Sequence, residues 1–324
     1  MAGGKTLTLQ RKRAIPRTRR RGVGRQIELM AQGLGADAVV RRQLNLLLIE
    51  IEQDLNADVL TYVGPISYGA DDHIRDAIEA LKRHKKKLVF ILETTGGYAE
   101  VARRISDALR NKYRSVEFLV PSYAMSAGTI LAMSGDAIWM DYYSVLGPID
   151  PQVPSPDGTR FIPALGYLIK YYELLAKANA GNAGAAELEI LLNFNQGELY
   201  SYEQARNLSV ALLEEWLAKY KFRNWVKTER RGQPVTKAMK KARAREIAHK
   251  LNDVQRWNSH GIGINKEVLK RELKLKIDDF GANKVLSGHV REYHKLLLDY
   301  LGRISQTSVV QTRDEFQPVP WRVT

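Results

Sequence analysis

The chain has no cysteine in its 324 residues, which excludes disulfides, thiolate zinc sites and a cysteine nucleophile. It has no apolar run of the eighteen or so residues that a membrane span needs. The best candidate, residues 44–51, is short and carries Glu50. The basic N-terminus has no apolar stretch behind it of the kind a secretory leader carries, so a soluble, cytoplasmic protein without a transmembrane segment is the expectation. No zinc-finger, RNA-recognition or helix-turn-helix signature is present. The histidines do not cluster at metal-ligand spacing, so no metal and no other cofactor is expected. His73, His84, His249, His289 and His294 read as surface or helix-face residues.

What is present is an apolar fraction of 44%, ample for a core, and a strongly uneven charge. The net charge is +14, and residues 1–26 hold nine Lys and Arg and no acid; without them the remainder is only +5. Residues 1–26 therefore read as a disordered basic arm, suited to contact with nucleic acid or an acidic partner. A second basic stretch, residues 221–250, carries eleven Lys and Arg against Glu229 and Glu246; on a helix it is equally a solvated face.

Apolar periodicity gives the organisation. Residues 28–56 have helical spacing, 58–63 read as a strand ending at Gly64-Pro65, and 71–83 as a helix with Asp71 and Asp72 at its start. Strand 87–92, helix 98–112, strand 116–120, helix 126–133, strand 137–140 and a short strand at 145–146 follow. Strand–helix alternation of this kind indicates an α/β fold, a parallel sheet with crossover helices, whose site lies at the carboxyl ends of the strands. Residues 181–303 read as a helical region with a turn at 181–184, and 304–324 as an extended tail. The core is placed at 27–180.

Two segments converge on such a site. Residues 121–129, Pro-Ser-Tyr-Ala-Met-Ser-Ala-Gly-Thr, put Ser126 between a strand and a helix, where a hydroxyl meets free backbone N–H groups. The strand at 87–92 ends in Glu93-Thr94-Thr95-Gly96-Gly97, a turn able to bring further N–H groups to the same serine. The plainer readings are an ordinary turn for Gly96-Gly97 and a helix cap for Ser126.

These segments, with Ser144-Val145-Leu146-Gly147-Pro148-Ile149-Asp150-Pro151-Gln152 and the shorter Trp257-Asn258-Ser259-His260-Gly261, resemble the serine dehydrogenase proteinase family. That family has the ClpP/crotonase-like fold and is related to the signal-peptide-peptidase A group. The resemblance implies a serine peptidase in which Ser126 is the nucleophile and the N–H groups of Gly97 and Ala127 form the oxyanion hole. A peptide or protein substrate would lie as an added strand along Gly96 and Tyr98. It also implies a homo-oligomer assembled through the helical region. ClpP-type enzymes carry a histidine after the strand that follows the nucleophile helix; here that place reads Leu146-Gly147-Pro148-Ile149-Asp150.

Two bases remain. Lys170, 44 residues after Ser126, stands at a separation similar to that of serine–lysine peptidases, with Tyr167, Ile169, Tyr171 and Leu174 around it in sequence; apolar surroundings would lower its pKa. Lys177 is a substitute. His260, in a glycine-containing turn, has the intrinsic pKa of a base, and Asp150 could orient either. The rivals are an acyl-CoA enzyme of the same fold and a catalytically silent scaffold whose arm binds nucleic acid or an acidic partner.

Overall fold

A computed structural model describes residues 35–320 apart from 83, 155–160 and 230. The basic arm at 1–26 and the last four residues of the tail lie outside the described residues. The chain divides into two compact units, residues 1–43 and 44–324; of the first, only 35–43 are described. Among the described residues no helix is long and apolar enough to cross a membrane.

Helix α1 (Ala36–Leu55) is followed by β1 (Asp58–Val63), α2 (Ala70–Ala80), β2 (Lys87–Glu93), α3 (Ala99–Lys112) and β3 (Ser115–Leu119). Then come β4 (Tyr123–Ala124), α4 (Ala127–Ala132), β5 (Ala137–Met140) and β6 (Val145–Leu146). A hairpin, β7 (Gln152–Pro154) with β8 (Phe161–Pro163), leads to α5 (Ala164–Asn179), α6 (Ala185–Leu192), α7 (Gln196–Trp216) and α8 (Lys237–Leu251). The last elements are α9 (Val254–Trp257), β9 (Ile264–Asn265), α10 (Lys266–Arg271), β10 (Asp278–Asp279), α11 (Lys284–Arg303), β11 (Val309–Gln311) and β12 (Phe316–Pro318).

The central sheet has the order β10-β5-β3-β2-β1-β11-β12, parallel from β10 through β1, with β11 and β12 added antiparallel. All six residues of β1 and six of seven in β2 are buried, as expected for parallel strands covered on both faces. The fold class read from the alternation is the one observed. Helices α2 and α3 pack together on the sheet, each presenting an apolar stripe (Ile74, Ala77 and Ile78; Val101, Ile105 and Leu109) to the core.

Two departures from the sequence reading concern the C-terminal part. Residues 304–324 are not simply an extended tail: β11 pairs with β1, and β12 with β11. Arg313 follows that pairing and inserts between Glu52 (2.8 Å) and the buried Asp58 (3.1 Å), so the last strands are tied to the first by charge. Desolvation holds the Glu52 carboxyl above its ordinary range. The region 181–303, expected to be helical, also contains short strands: α10 ends at Arg271, and β10 joins the sheet edge at β5.

The end of α7 continues as a π-helical turn, Leu217–Lys221. Burial pushes the Lys221 ammonium down to about 8 from its usual 10.5, against the attraction of Asp278. The folded state thus favours the neutral amine, while the unfolded chain stays protonated to higher pH. Stability contributed by this group should therefore rise as pH increases through 8 toward 10.5. Lys221→Met should melt a few degrees higher than the parent at pH 7, with the gap closing by pH 10. Thermal melts at both pH values check this, and a gap that does not change with pH counts against it.

Candidate active site

The turn after β2 is built by hydrogen bonds that leave one amide out. Thr94 is zipped to the strand carrying the serine: its N–H donates to Tyr123 O (3.1 Å), and Met125 N–H donates to Thr94 O (2.9 Å). The Thr94 hydroxyl accepts Gly96 N–H at 3.0 Å. Ile66 then bridges the turn, donating to Gly96 O (2.8 Å) and accepting from Tyr98 N–H (2.9 Å). The Gly97 N–H lies between these bonds and has no acceptor among the described residues. Gly96 and Gly97 have φ of 112° and 143°, conformations that glycine alone adopts readily. A Cβ on Gly96 would stand 2.8 Å from the Ser126 Cβ, and one on Gly97 2.2 Å from Ile66 O. The two segments converge as the sequence suggested.

Ser126 occupies the cap position of α4, yet its side chain makes no capping bond, and its backbone sits at φ 48°, ψ −116°. A serine held in such a region costs about 1–3 kcal/mol, which the buried helix behind it must sustain. The plain capping role is therefore not what the geometry shows. Gly128 N–H returns to Met125 O (2.8 Å) and Ile130 N–H to Ser126 O (3.1 Å), while Ala127 N–H has no acceptor among the described residues. Thr129 locks the turn to the next strand. Its buried hydroxyl accepts Gly147 N–H at 2.9 Å and lies 2.8 Å from Ala124 O and 3.0 Å from Gly147 O.

The remaining groups come from a small sheet of order β4-β6-β9, with β4 and β6 parallel and β9 antiparallel to β6. Ala124 pairs with Leu146, and Leu146 with Ile264. Chain leaving β4 leads to Ser126, chain leaving β6 leads to Asp150, and chain entering β9 carries His260, so all three emerge at one end of this sheet. His260 Nδ1 is 2.9 Å from Asp150 Oδ1, across 110 residues of sequence. Asp150 is 1% exposed, and its second oxygen accepts from Gln152 Nε2 at 2.9 Å. Because a carboxylate only accepts, Nδ1 carries the proton of this bond, and in the neutral imidazole Nε2 then has the lone pair. Among the described residues no hydrogen bond joins His260 to the Ser126 hydroxyl.

The lysines lie elsewhere. Lys170 is on the outer side of α5, its side chain 71% exposed and ion-paired to Glu173 at 2.8 Å; it does not have the apolar surroundings that its sequence neighbours suggested. Lys177 is exposed and bonded to Glu187 at 2.6 Å, and that hydrogen bond raises its pKa, the opposite of what a base requires. Tyr98 is exposed beside the Gly97 turn and stacks on Tyr68, with ring centroids 4.9 Å apart.

One cluster escaped the sequence reading. His294, read there as a surface or helix-face residue, is largely buried on α11 and bonds through Nε2 to the buried Glu93. Tyr123 bonds to the same carboxylate, and burial followed by Glu93 pushes its phenol pKa up. Glu93 is thereby held from two sides immediately before the Gly96-Gly97 turn. The signal was available: His294 stands four residues after Val290, on the face that buries Val290, Tyr293 and Leu297.

A parallel α/β sheet with a serine at a strained strand-to-helix turn, two free amides beside it and a histidine–aspartate pair at the same end has the composition of a serine-hydrolase site. Comparison with known proteins narrows the class: residues 66–165 match the family of ClpP-like SDH-type serine proteinases. Two uncharacterized proteins of Methanocaldococcus jannaschii are similar in sequence. One is 31% identical over 153 residues, 46% of this chain and 53% of its own length. The other is 37% identical over 82 residues, 25% of this chain and 26% of its own length. The chain thus spans about half, and about a quarter, of the curated relatives it matches. Two structures of the 1510-N membrane-bound stomatin-specific protease, both variants and one in complex with a substrate peptide, align at TM-score 0.40. Their identities are 13% and 16%, and they cover 68% of this chain and 76% and 72% of theirs.

Proposed function

We propose that the protein is a serine peptidase in which Ser126 forms an acyl-enzyme, His260 is the general base and Asp150 orients it. The observation that carries this reading is the Asp150–His260 hydrogen bond of 2.9 Å at the sheet end where Ser126 emerges. The family match over residues 66–165 supports peptide-bond hydrolysis over acyl-CoA chemistry. His260 Nε2 takes the Ser126 proton as Oγ attacks the carbonyl carbon. The oxyanion receives the Gly97 and Ala127 N–H groups, neither of which has another acceptor among the described residues. The tetrahedral species collapses with loss of the amine, which leaves with the proton from His260. Water, deprotonated by the same imidazole, then releases the acid and regenerates Ser126. Each oxyanion donor is worth about 3–4 kcal/mol of barrier in comparable enzymes.

This assignment resolves the missing histidine. Asp150 stands in the segment where ClpP-type enzymes have their imidazole, and the imidazole arrives from residue 260. The decisive comparison is His260→Ala against Lys170→Ala on peptide hydrolysis. The first should lose about 10⁴-fold or more in kcat; the second, carried on an exposed ion pair, should retain parent activity. The reverse ranking would make lysine the base.

A further inference from the structure

In the helical region, with Ser126 not among its lining residues, lies a hollow of about 470 Å³ between α5, α7 and α8; a smaller one of about 240 Å³ adjoins it. Both are lined by Leu165, Arg206 and Asn252. Asn252 is 6% exposed, and its amide oxygen and nitrogen are both buried without a hydrogen-bond partner. Such a group costs about 1–3 kcal/mol, so a buried amide left this way needs an explanation. Arg206 lies beside it, and among the described residues its guanidinium hydrogen-bonds to the neighbouring Asn207 Oδ1, at 3.3 Å, and to no carboxylate. Of the acidic groups nearby, one is ion-paired and the other caps α9. Glu214 is held by both Nε and Nη2 of Arg245 at 2.9 Å, and Asp253 accepts from Arg256 N–H at 3.0 Å. Arg206 and His249 are therefore the groups of the larger hollow left to meet a negative charge, and Leu168, Ile169 and Val254 give the smaller one an apolar lining.

We propose that these hollows are one binding site for the carboxy-terminal end of an apolar peptide. Arg206 turns out toward the terminal carboxylate and uncovers Asn252. The Asn252 oxygen then accepts the N–H of the penultimate residue and its nitrogen donates to that same residue's carbonyl, while the leucine-lined end takes the side chains. A guanidinium is suited to a planar carboxylate, and a side-chain amide can meet at once the N–H and the C=O that one extended residue turns to the same side. The site communicates with Asp150 by a short route: Leu251, next to Asn252, accepts the N–H of Ile149 at 3.0 Å.

The experiment uses the full chain carrying Ser126→Ala, so that turnover plays no part and a failed peptidase assignment leaves the result readable. N-acetyl-leucyl-leucine and its carboxamide are titrated by ligand-observed NMR. The acid should bind at least tenfold more tightly than the amide, and Arg206→Gln should weaken the acid at least tenfold with the melting temperature unchanged. Asn252→Leu should abolish binding without loss of stability, because an apolar side chain of similar size replaces an unpartnered amide. Equal binding of acid and amide, no effect of Arg206→Gln, or no binding at millimolar peptide would each overturn the proposal. Should Asn252→Leu fold poorly, the acid–amide comparison and Arg206→Gln still decide it.

Discussion

Ser126→Ala is expected to fold as the parent does, to lose about 10⁶-fold in kcat on a peptide substrate and to take up no fluorophosphonate probe. The size follows from the proposed role: without the hydroxyl there is no acyl-enzyme, and only the residual catalysis of an oxyanion hole and of substrate binding remains. A probe that still labels the variant would place the nucleophile elsewhere. The backbone at this residue adds a second test that a mere turn serine would not pass. At φ 48°, ψ −116° the serine stores strain of about 1–3 kcal/mol, which glycine relieves. Ser126→Gly should therefore be inactive and yet melt no lower than the parent. Ordinarily, serine to glycine at a helix start costs a few tenths of a kcal/mol. An inactive variant that melts well below the parent would contradict the strain.

Gly97→Ala is expected to have the largest effect on stability and to remove activity as well. An added Cβ would meet Ile66 O at 2.2 Å and Ile66 C at 2.8 Å, so backbone, with no rotamer to yield, must move. It would also be held at φ 143°. Overpacking and strain together should cost roughly 2–5 kcal/mol in urea unfolding. Gly69 supplies the control: its φ is 93°, and nothing lies within 4 Å of its Cβ position. Gly69→Ala should carry the backbone strain alone, roughly 1–3 kcal/mol, and keep its kcat. If the two variants are equally stable, the Ile66 bridge is not what fixes the Gly97 amide.

The convergence of the Ser126 turn with the Gly96-Gly97 turn was legible in the sequence because each of its signals is local. An apolar run followed by small residues marks Ser126, and two adjacent glycines mark the facing turn. The proposed base was legible only as one of two candidates, for two reasons. His260 reaches Asp150 through the pairing of β6 with β9, two residues each, too short to leave a periodic trace. Lys170 misled because neighbours along a helix are not neighbours on its surface. Leu165 and Leu168 are buried on α5, and at about 100° per residue a side chain two positions past Leu168 points away from the core. The short strands β11 and β12 were hidden by the same brevity. Only the buried partners Glu52 and Asp58, unpaired in any sequence reading, hint that Arg313 must come back to them.

The separation of the nucleophile from its base has a biosynthetic consequence. The stretch 66–165 contains Ser126, Asp150 and both amides, but the imidazole is translated about a hundred residues after the aspartate. On the assignment proposed here, a polypeptide emerging from the ribosome carries a formed but idle serine until the segment around β9 has been made and paired with β6. Under that assignment, hydrolysis would be withheld by the order of synthesis until the chain around β9 is in place.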